Sequence, residues 1–287
     1  MNYTLNLHGQ LLSLNEPVVM GILNATPDSF FAGSRQQTEE QIAQRTRQII
    51  SEGATIIDVG ACSTRPGSAP VSQEEEMARL RFALPIIKKI QEELSHSTLN
   101  TLNSKLYTLN SKLYTLNSKL SVDTFRPDVA RMAVEEFGVA IINDVSGGDE
   151  TMFRMTARLG TPYILTSVEP DLRTTLLTFA KKLQQLRDFG QKDIILDPGF
   201  GFGKTLEENF RLFNEMERLR VLDLPLLVGI SRKSMIYKTL GCTPDEALNG
   251  TTALNALALM KGASILRVHD VREACECCKI IKALTTK

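Results

Sequence analysis

Eight times along this chain a short apolar run stops at a polar or flexible residue and gives way to a stretch with helical periodicity. The runs are 18–23, 56–59, 120–122, 140–142, 163–165, 194–196, 226–228 and 264–266. Runs that are predominantly apolar, without strict alternation, belong to strands buried on both faces, as in a parallel sheet covered by helices. Helical patterns follow them at 38–52, 73–94, 127–137, 152–159, 172–189, 206–219, 244–261 and 271–284. Thr38 and Gln41 read as the cap of the first helix, and Pro127 suits the first turn of the third. Eight strand-then-helix units in 287 residues predict one α/β domain over residues 1–287, a single closed (β/α)8 TIM barrel. Ahead of it, 3–7 and 10–14 flank His8-Gly9 as a β-hairpin that would plug the base of the barrel.

One connection is unusual. Residues 101–107 read T-L-N-S-K-L-Y, 108–114 repeat them, and 115–120 begin a third copy. The leucines alternate steps of four and three, the spacing of a helical stripe, yet every copy carries Asn, Ser and Thr, which weaken a helix. A tandem duplication lengthening the connection before the third barrel strand, an insertion spanning 99–119, is the preferred reading, with no catalytic role.

Composition removes several function classes. Lys plus Arg and Asp plus Glu are both 33, so no net field draws in nucleic acid or a membrane surface, and anionic ligands must be met by local groups. Residues 1–14 lack a signal-peptide pattern and no run is long enough to span a bilayer, so a cytoplasmic location is expected. The five cysteines are not spaced as a disulfide framework. Cys275, Cys277 and Cys278 fall on the last helix with only His269 nearby in sequence, and Cys62 reads as a small packing residue.

In a barrel of this kind the site gathers at the C-terminal ends of the strands. Those ends offer Asn24, Thr64, Asp123, Asn143, Asp197, Lys233, Arg267 and His269. Asp123, Asn143 and Asp197 suit the donor and acceptor edge of an amino-oxo heterocycle, whereas Arg267, His269, Asn24 and Thr64 suit phosphate oxygens. Lys233 falls between the two halves. The segment 194–205, I-I-L-D-P-G-F-G-F-G-K-T, puts Asp197 at a strand end, lets glycine backbone approach a ligand, and offers Phe200 and Phe202 to line a flat ring. Its G-F-G-F-G alternation fits neither a dinucleotide fingerprint nor a Walker loop. A nitrogen heterocycle bearing a phosphate or pyrophosphate satisfies both halves.

Seven ordered stretches now carry a resemblance: M-G-I-L-N-A-T-P-D-S-F at 20–30, S-T-R-P-G at 63–67, V-D-T at 122–124, I-N-D at 142–144, L-D-P-G-F-G-F-G-K at 196–204, G-I-S-R-K-S at 229–234 and L-R-V-H-D at 266–270. Together they resemble the dihydropteroate synthase family, the sulfonamide target. The resemblance implies condensation of 6-hydroxymethyl-7,8-dihydropterin pyrophosphate with p-aminobenzoate, Mg²⁺ on the phosphates, and a homodimer through C-terminal helices. By the same carry-over, Asp123, Asn143, Asp197 and Lys233 hold the pterin. Asn24, Thr64, Arg267 and His269 bind the pyrophosphate, Asn24 also taking the metal. Ser231, Lys233, Arg65, Pro66 and Phe202 form the p-aminobenzoate side. Asn24, Asp123, Asp197, Lys233 and Arg267 are the group implied in catalysis.

The chain departs from the family pattern twice. Ala32 stands where the first loop, usually D-S-F-S-D-G-G, carries a second acid. The fifth barrel strand usually leads into M-H-M-Q-G, whereas Thr166-Ser167 here occupy the Met-His place, so packing of a methionine on the pterin is not expected. Two other readings remain open: a methyltetrahydrofolate:corrinoid methyltransferase, which shares the ring-binding half, and a non-catalytic pterin-binding paralogue. The S-T-R-P-G loop and the Arg267/His269 pair favour a phosphorylated substrate.

Overall fold

The structure is a computed structural model and describes residues 3–25, 35–62, 71–102 and 118–285. A hairpin of β1 (Thr4–Leu7) and β2 (Gln10–Ser13) precedes β3 (Val18–Asn24) and α1 (Arg35–Ser51). There follow β4 (Ile56–Gly60), α2 (Gln73–Leu102), β5 (Lys119–Asp123), α3 (Pro127–Phe137), β6 (Ile141–Asp144) and α4 (Glu150–Leu159). The chain continues through β7 (Tyr163–Thr166), α5 (Leu172–Asp188), β8 (Ile194–Asp197), α6 (Leu206–Glu215) and β9 (Leu226–Val228). It ends with α7 (Ser234–Leu240), α8 (Leu248–Met260), β10 (Ala263–Val268) and α9 (Val271–Thr285). The strands β3 to β10 are parallel and close into a barrel in chain order, β10 pairing with β3. The predicted (β/α)8 barrel and its hairpin are therefore the observed ones.

Alternation along each strand decides what the barrel holds. One set of side chains, including Val19, Ile57, Val122, Ile142, Leu165, Leu196, Val228 and Leu266, packs outward against the helices. The other set points inward. Its lower layer is apolar: Met20, Ile56, Ile141, Ile164, Ile195, Leu227 and Ile265 share a cluster with Leu5, Leu7 and Leu14 of the hairpin, which thus closes the bottom. Two residues further along the same inward rows stand Ile22, Asp58, Asn143, Thr166, Asp197, Gly229 and Arg267, and Asp123 takes the inward row of β5. The polar layer thus lies on the C-terminal side, stacked on a dry plug.

Helix boundaries differ from the periodicity in understandable places. Helix α1 begins at Arg35, so Thr38 lies inside it, buried, rather than capping it. Helix α6 opens with a capping box of Thr205 and Glu208 but tightens into a 3-10 turn over Met216–Leu222, because the chain must leave the helix before Pro225. Glu246 binds the backbone and hydroxyl of Thr243, making a separate turn, so α8 starts only at Leu248 instead of 244. Helix α7 lies between the predicted strand at 226–228 and the predicted helix at 244–261, where the periodicity named no helix. Most of the repeat-bearing insertion, Ala32, and the site candidates Thr64, Arg65 and Pro66 lie outside the described residues.

Candidate active site

Three acids and an arginine make the framework of the polar layer. Register sets Gly60 beside Asp123, Asp123 beside Asn143, and Thr166 beside Asp197. From β10 the guanidinium of Arg267 reaches across the barrel, Nε donating to Asp58 Oδ2 at 2.7 Å and Nη2 to Asp123 Oδ2 at 2.9 Å. Asp58 Oδ2 also accepts from Asn143 Nδ2 at 3.0 Å. Only the amide nitrogen can face a carboxylate, so Asn143 turns its oxygen elsewhere, and that oxygen is buried without a partner among the described residues. Asp144, next in sequence, points outward to accept from the Tyr163 hydroxyl at 2.7 Å and takes no part in the site.

The sequence reading missed Asp58, which is fully buried. Its signal was present: a charged residue inside the run Ile56-Ile57-Asp58-Val59 has no reason to be there unless it meets a partner inside the barrel. The reading also divided Asp123 and Arg267 between a ring half and a phosphate half. They form one ion pair, so the two halves share a wall.

Burial dominates the electrostatics. It raises the Asp123 carboxyl to about 7 despite the opposing charge of Arg267. Asp197 is likewise raised by burial, with Lys233, a hydrogen bond from Gly199 N–H and Arg267 pulling the other way. Burial lowers the Lys233 ammonium to about 8, against the attraction of Asp197. Burial also opposes the Arg267 charge, but Asp58 and Asp123 outweigh it and the net shift is upward.

The turn after β8 is built around backbone contacts. Gly199 N–H donates to Asp197 Oδ1 at 2.8 Å, fixing the carboxylate. Gly199 has φ +70°, and a Cβ there would lie 1.8 Å from Ser167 O, so no side chain fits. Lys204 donates to the carbonyls of Ser167, Gly199 and Phe202, tying this turn to the end of β7. Of the two phenylalanines, Phe200 is fully buried against Phe213 and lines no ring site, correcting the expectation for it. Phe202 is half-buried, and Lys233 Nζ sits 4.4 Å from its ring centroid while donating to Phe200 O.

Lys233 is set by its neighbour. Arg232 has φ +54°, uncommon for a residue with a side chain, and is held there by Thr251 Oγ1 on its N–H and a two-pronged ion pair to Asp270 at 2.9 and 2.7 Å. On either side of it the two side chains meet different partners, Ser231 at the end of β10 and Lys233 at the turn after β8. Ser231 Oγ accepts from His269 N–H at 3.1 Å, and Arg45 donates to His269 O at 2.7 Å and to Ile22 O. His269 is thereby pinned by its backbone at the end of β10. Asn24 is exposed at the end of β3, its Oδ1 3.7 Å from the position a Cβ on Gly60 would take. Arg126 braces the loop after β4, pairing with Glu76, Cys62 Sγ and Val71 O.

Asn24, Asp123, Asn143, Asp197, Phe202, Ser231, Lys233, Arg267 and His269 thus all lie at or just beyond the C-terminal ends of the barrel strands. The family described as pterin binding enzyme matches residues 20–269. Dihydropteroate synthase of Escherichia coli strain K12 is 35% identical over 291 residues, covering 96% of this chain and 94% of that one. The fold is similar to that of Xanthomonas albilineans dihydropteroate synthase with 4-aminobenzoic acid, at a TM-score of 0.84 and 31% identity over 100% of both chains. The Yersinia pestis dihydropteroate synthase in complex with a sulfonamide drug superimposes at 0.80 with 34% identity, over 98% of this chain and 99% of that one. A polar layer of acids, amide and arginine inside a plugged barrel, matched over nearly its whole length by these enzymes, makes this chain a member of the pterin-binding enzyme family, of the dihydropteroate synthase kind.

Proposed function

We infer that this chain is a dihydropteroate synthase, a transferase of folate biosynthesis. It condenses 6-hydroxymethyl-7,8-dihydropterin pyrophosphate with p-aminobenzoate to 7,8-dihydropteroate and pyrophosphate. The observation that carries the reading is the buried group of Asp58, Asp123 and Asp197 around a single cross-barrel arginine. In the proposed path the pterin methylene–oxygen bond breaks, its electron pair leaving with the pyrophosphate. The ring, left cationic, is stabilised by Asp123 and Asp197 in a low-dielectric pit. The arylamine lone pair then forms the new C–N bond and the amine gives up a proton. No protein nucleophile is needed; positioning of the amine is enough.

Asp123, Asn143, Asp197 and Lys233 are assigned to the pterin, and Arg267, His269, Asn24 and Thr64 to the pyrophosphate. Two carboxylates occupy part of the Arg267 fork, and its other N–H groups remain for an entering anion. Ser231, Lys233, Phe202, Arg65 and Pro66 are assigned to p-aminobenzoate, supported by the Lys233–Phe202 stack. Asn24 is assigned a further role as ligand to Mg²⁺. Its exposed amide oxygen is a hard donor, and Mg²⁺ in phosphate sites is held by few protein oxygens plus the phosphates themselves, so the residue fits. When bound, Mg²⁺ would neutralise charge on the phosphates.

A homodimer belongs to the same proposal. Leu257 and Met260 on α8 and Ile280 and Leu284 on α9 stand 50–71% exposed on two helices packed together, an apolar face of the kind subunit contacts cover. A cytoplasmic location is supported by five free thiols. The chain is read as one domain with 99–119 inserted in it. Incubation of purified protein with both substrates should give dihydropteroate and pyrophosphate. Binding of the pterin without product would instead indicate a non-catalytic paralogue, and methyl transfer from methyltetrahydrofolate the corrinoid enzyme.

A further inference from the structure

Thr166 is the polar side chain of the inward layer that none of these roles uses. Ile164 belongs to the barrel interior and Tyr163 and Leu165 to the outer core, so alternation along β7 turns Thr166 inward. Its strand runs between those carrying Asn143 and Asp197, and its Cα is paired with that of Asp197. The residue is 1% exposed, and its Oγ1 is buried with no hydrogen-bond partner among the described residues. Its methyl faces Gly199, the Cγ2 lying 3.0 Å from where a Cβ on that glycine would be.

A hydroxyl so placed is destabilising in the free protein, because it is buried and no side chain or backbone group among the described residues takes its hydrogen bond. The inward side chains on the two strands flanking it offer no free donor. Asn143 spends its Nδ2 on Asp58 and leaves an unpaired oxygen, and Asp197 is an acceptor already fixed by Gly199 N–H. A pterin presents acceptors as well as donors along its polar edge, namely a carbonyl oxygen and imine nitrogens, and acceptors cannot be met by carboxylates.

We propose that Thr166 is a ring-recognition residue: its hydroxyl donates a hydrogen bond to an acceptor atom of the bound pterin beside Asp197. The bond forms only when the site is filled, so Thr166 lowers the stability of the empty protein and raises affinity for the ring. It also favours heterocycles with an acceptor at that edge over those with a C–H there. The proposal rests on the dihydropteroate synthase reading.

The test compares wild type, Thr166→Val, which keeps the shape and deletes the hydroxyl, and Thr166→Ser, which keeps the hydroxyl. Each is titrated calorimetrically with 6-hydroxymethylpterin, which lacks the pyrophosphate, and each is melted without ligand. Thr166→Val should melt at the wild-type temperature or above it, yet bind the pterin about three- to tenfold more weakly, the worth of one hydrogen bond. Thr166→Ser should bind within about twofold of wild type. The KM for p-aminobenzoate at saturating pterin pyrophosphate should not move in either. Equal pterin affinity of wild type and Thr166→Val would overturn the role of Thr166 and leave the enzymatic reading standing. A wild type that binds no pterin would overturn both.

Discussion

Asp58 Oδ2 accepts from Arg267 Nε at 2.7 Å and from Asn143 Nδ2 at 3.0 Å, so one buried oxygen orients both an arginine from β10 and an amide from β6. Asp58→Asn keeps the shape and removes the charge that holds Arg267. Breaking such a buried pair costs roughly 3 kcal/mol of folding stability. The melting temperature should fall, and kcat/KM for the pterin pyrophosphate should drop by more than about tenfold, since both partners lose their orientation. Steady-state kinetics with denaturation curves check it; wild-type kinetics in Asp58→Asn would remove Asp58 from the site.

The two shifted groups beside Arg267 set a pH window. In the free enzyme Asp123 becomes charged through about 7 and Lys233 loses its proton through about 8. The kcat/KM for the pterin pyrophosphate should rise through the first value and fall through the second, and Asp123→Asn should abolish the acid limb. Stability follows with definite sign. Lys233 is depressed in the fold, so between about 8 and 10.5 the unfolded chain holds more protons and stability rises with pH. Asp123 is raised, so its contribution is lost as pH rises from 3.8 to about 7. Lys233→Met should therefore melt above wild type at pH 7, and the gap should narrow towards pH 10.

Gly201 has φ +84°, and a Cβ there would meet Lys233 Cδ at 2.9 Å. Gly201→Ala should cost about 1–2 kcal/mol for the left-handed backbone and push Lys233 off the Phe202 ring. The KM for p-aminobenzoate should rise severalfold. An unchanged KM, measured at saturating pterin pyrophosphate, would contradict the assignment of Lys233 to that substrate.

Arg232 separates strain from clamping. Arg232→Gly relieves the backbone cost of φ +54° but abolishes the fork to Asp270, so stability should stay within about 1 kcal/mol while kcat/KM falls. Asp270→Ala retains the strain and loses the clamp, and should lose both stability and activity. Activity retained in both variants would mean that the kink does not position Ser231 and Lys233.

Deleting residues 101–114, two whole copies of the repeat, should leave turnover intact, because the flanking elements α2 and β5 contribute to the barrel independently of the length between them. Loss of turnover in a folded deletion variant would give the repeat a role.

The amino-acid sequence by itself determined the barrel, because eight largely apolar runs ending in polar residues, each followed by a helical pattern, fit the inner strands of a parallel barrel. It also determined which chemistry gathers at the mouth, since Asp123, Asn143, Asp197, Lys233, Arg267 and His269 all follow such runs. What only the tertiary structure decided was the pairing among them. Asp58 and Arg267 are 209 residues apart, and although a charge inside the run 56–59 signals a buried partner, nothing local says which residue that partner is. Phe200 and Phe202 look alike in G-F-G-F-G, yet one turns into the core and the other to Lys233, a choice made by the positive φ of the intervening Gly201 and by the space left beside Phe213. Local pattern records how a residue is to be buried; which partner it meets there depends on closure of the barrel, which brings chain-distant rows of side chains within hydrogen-bonding reach.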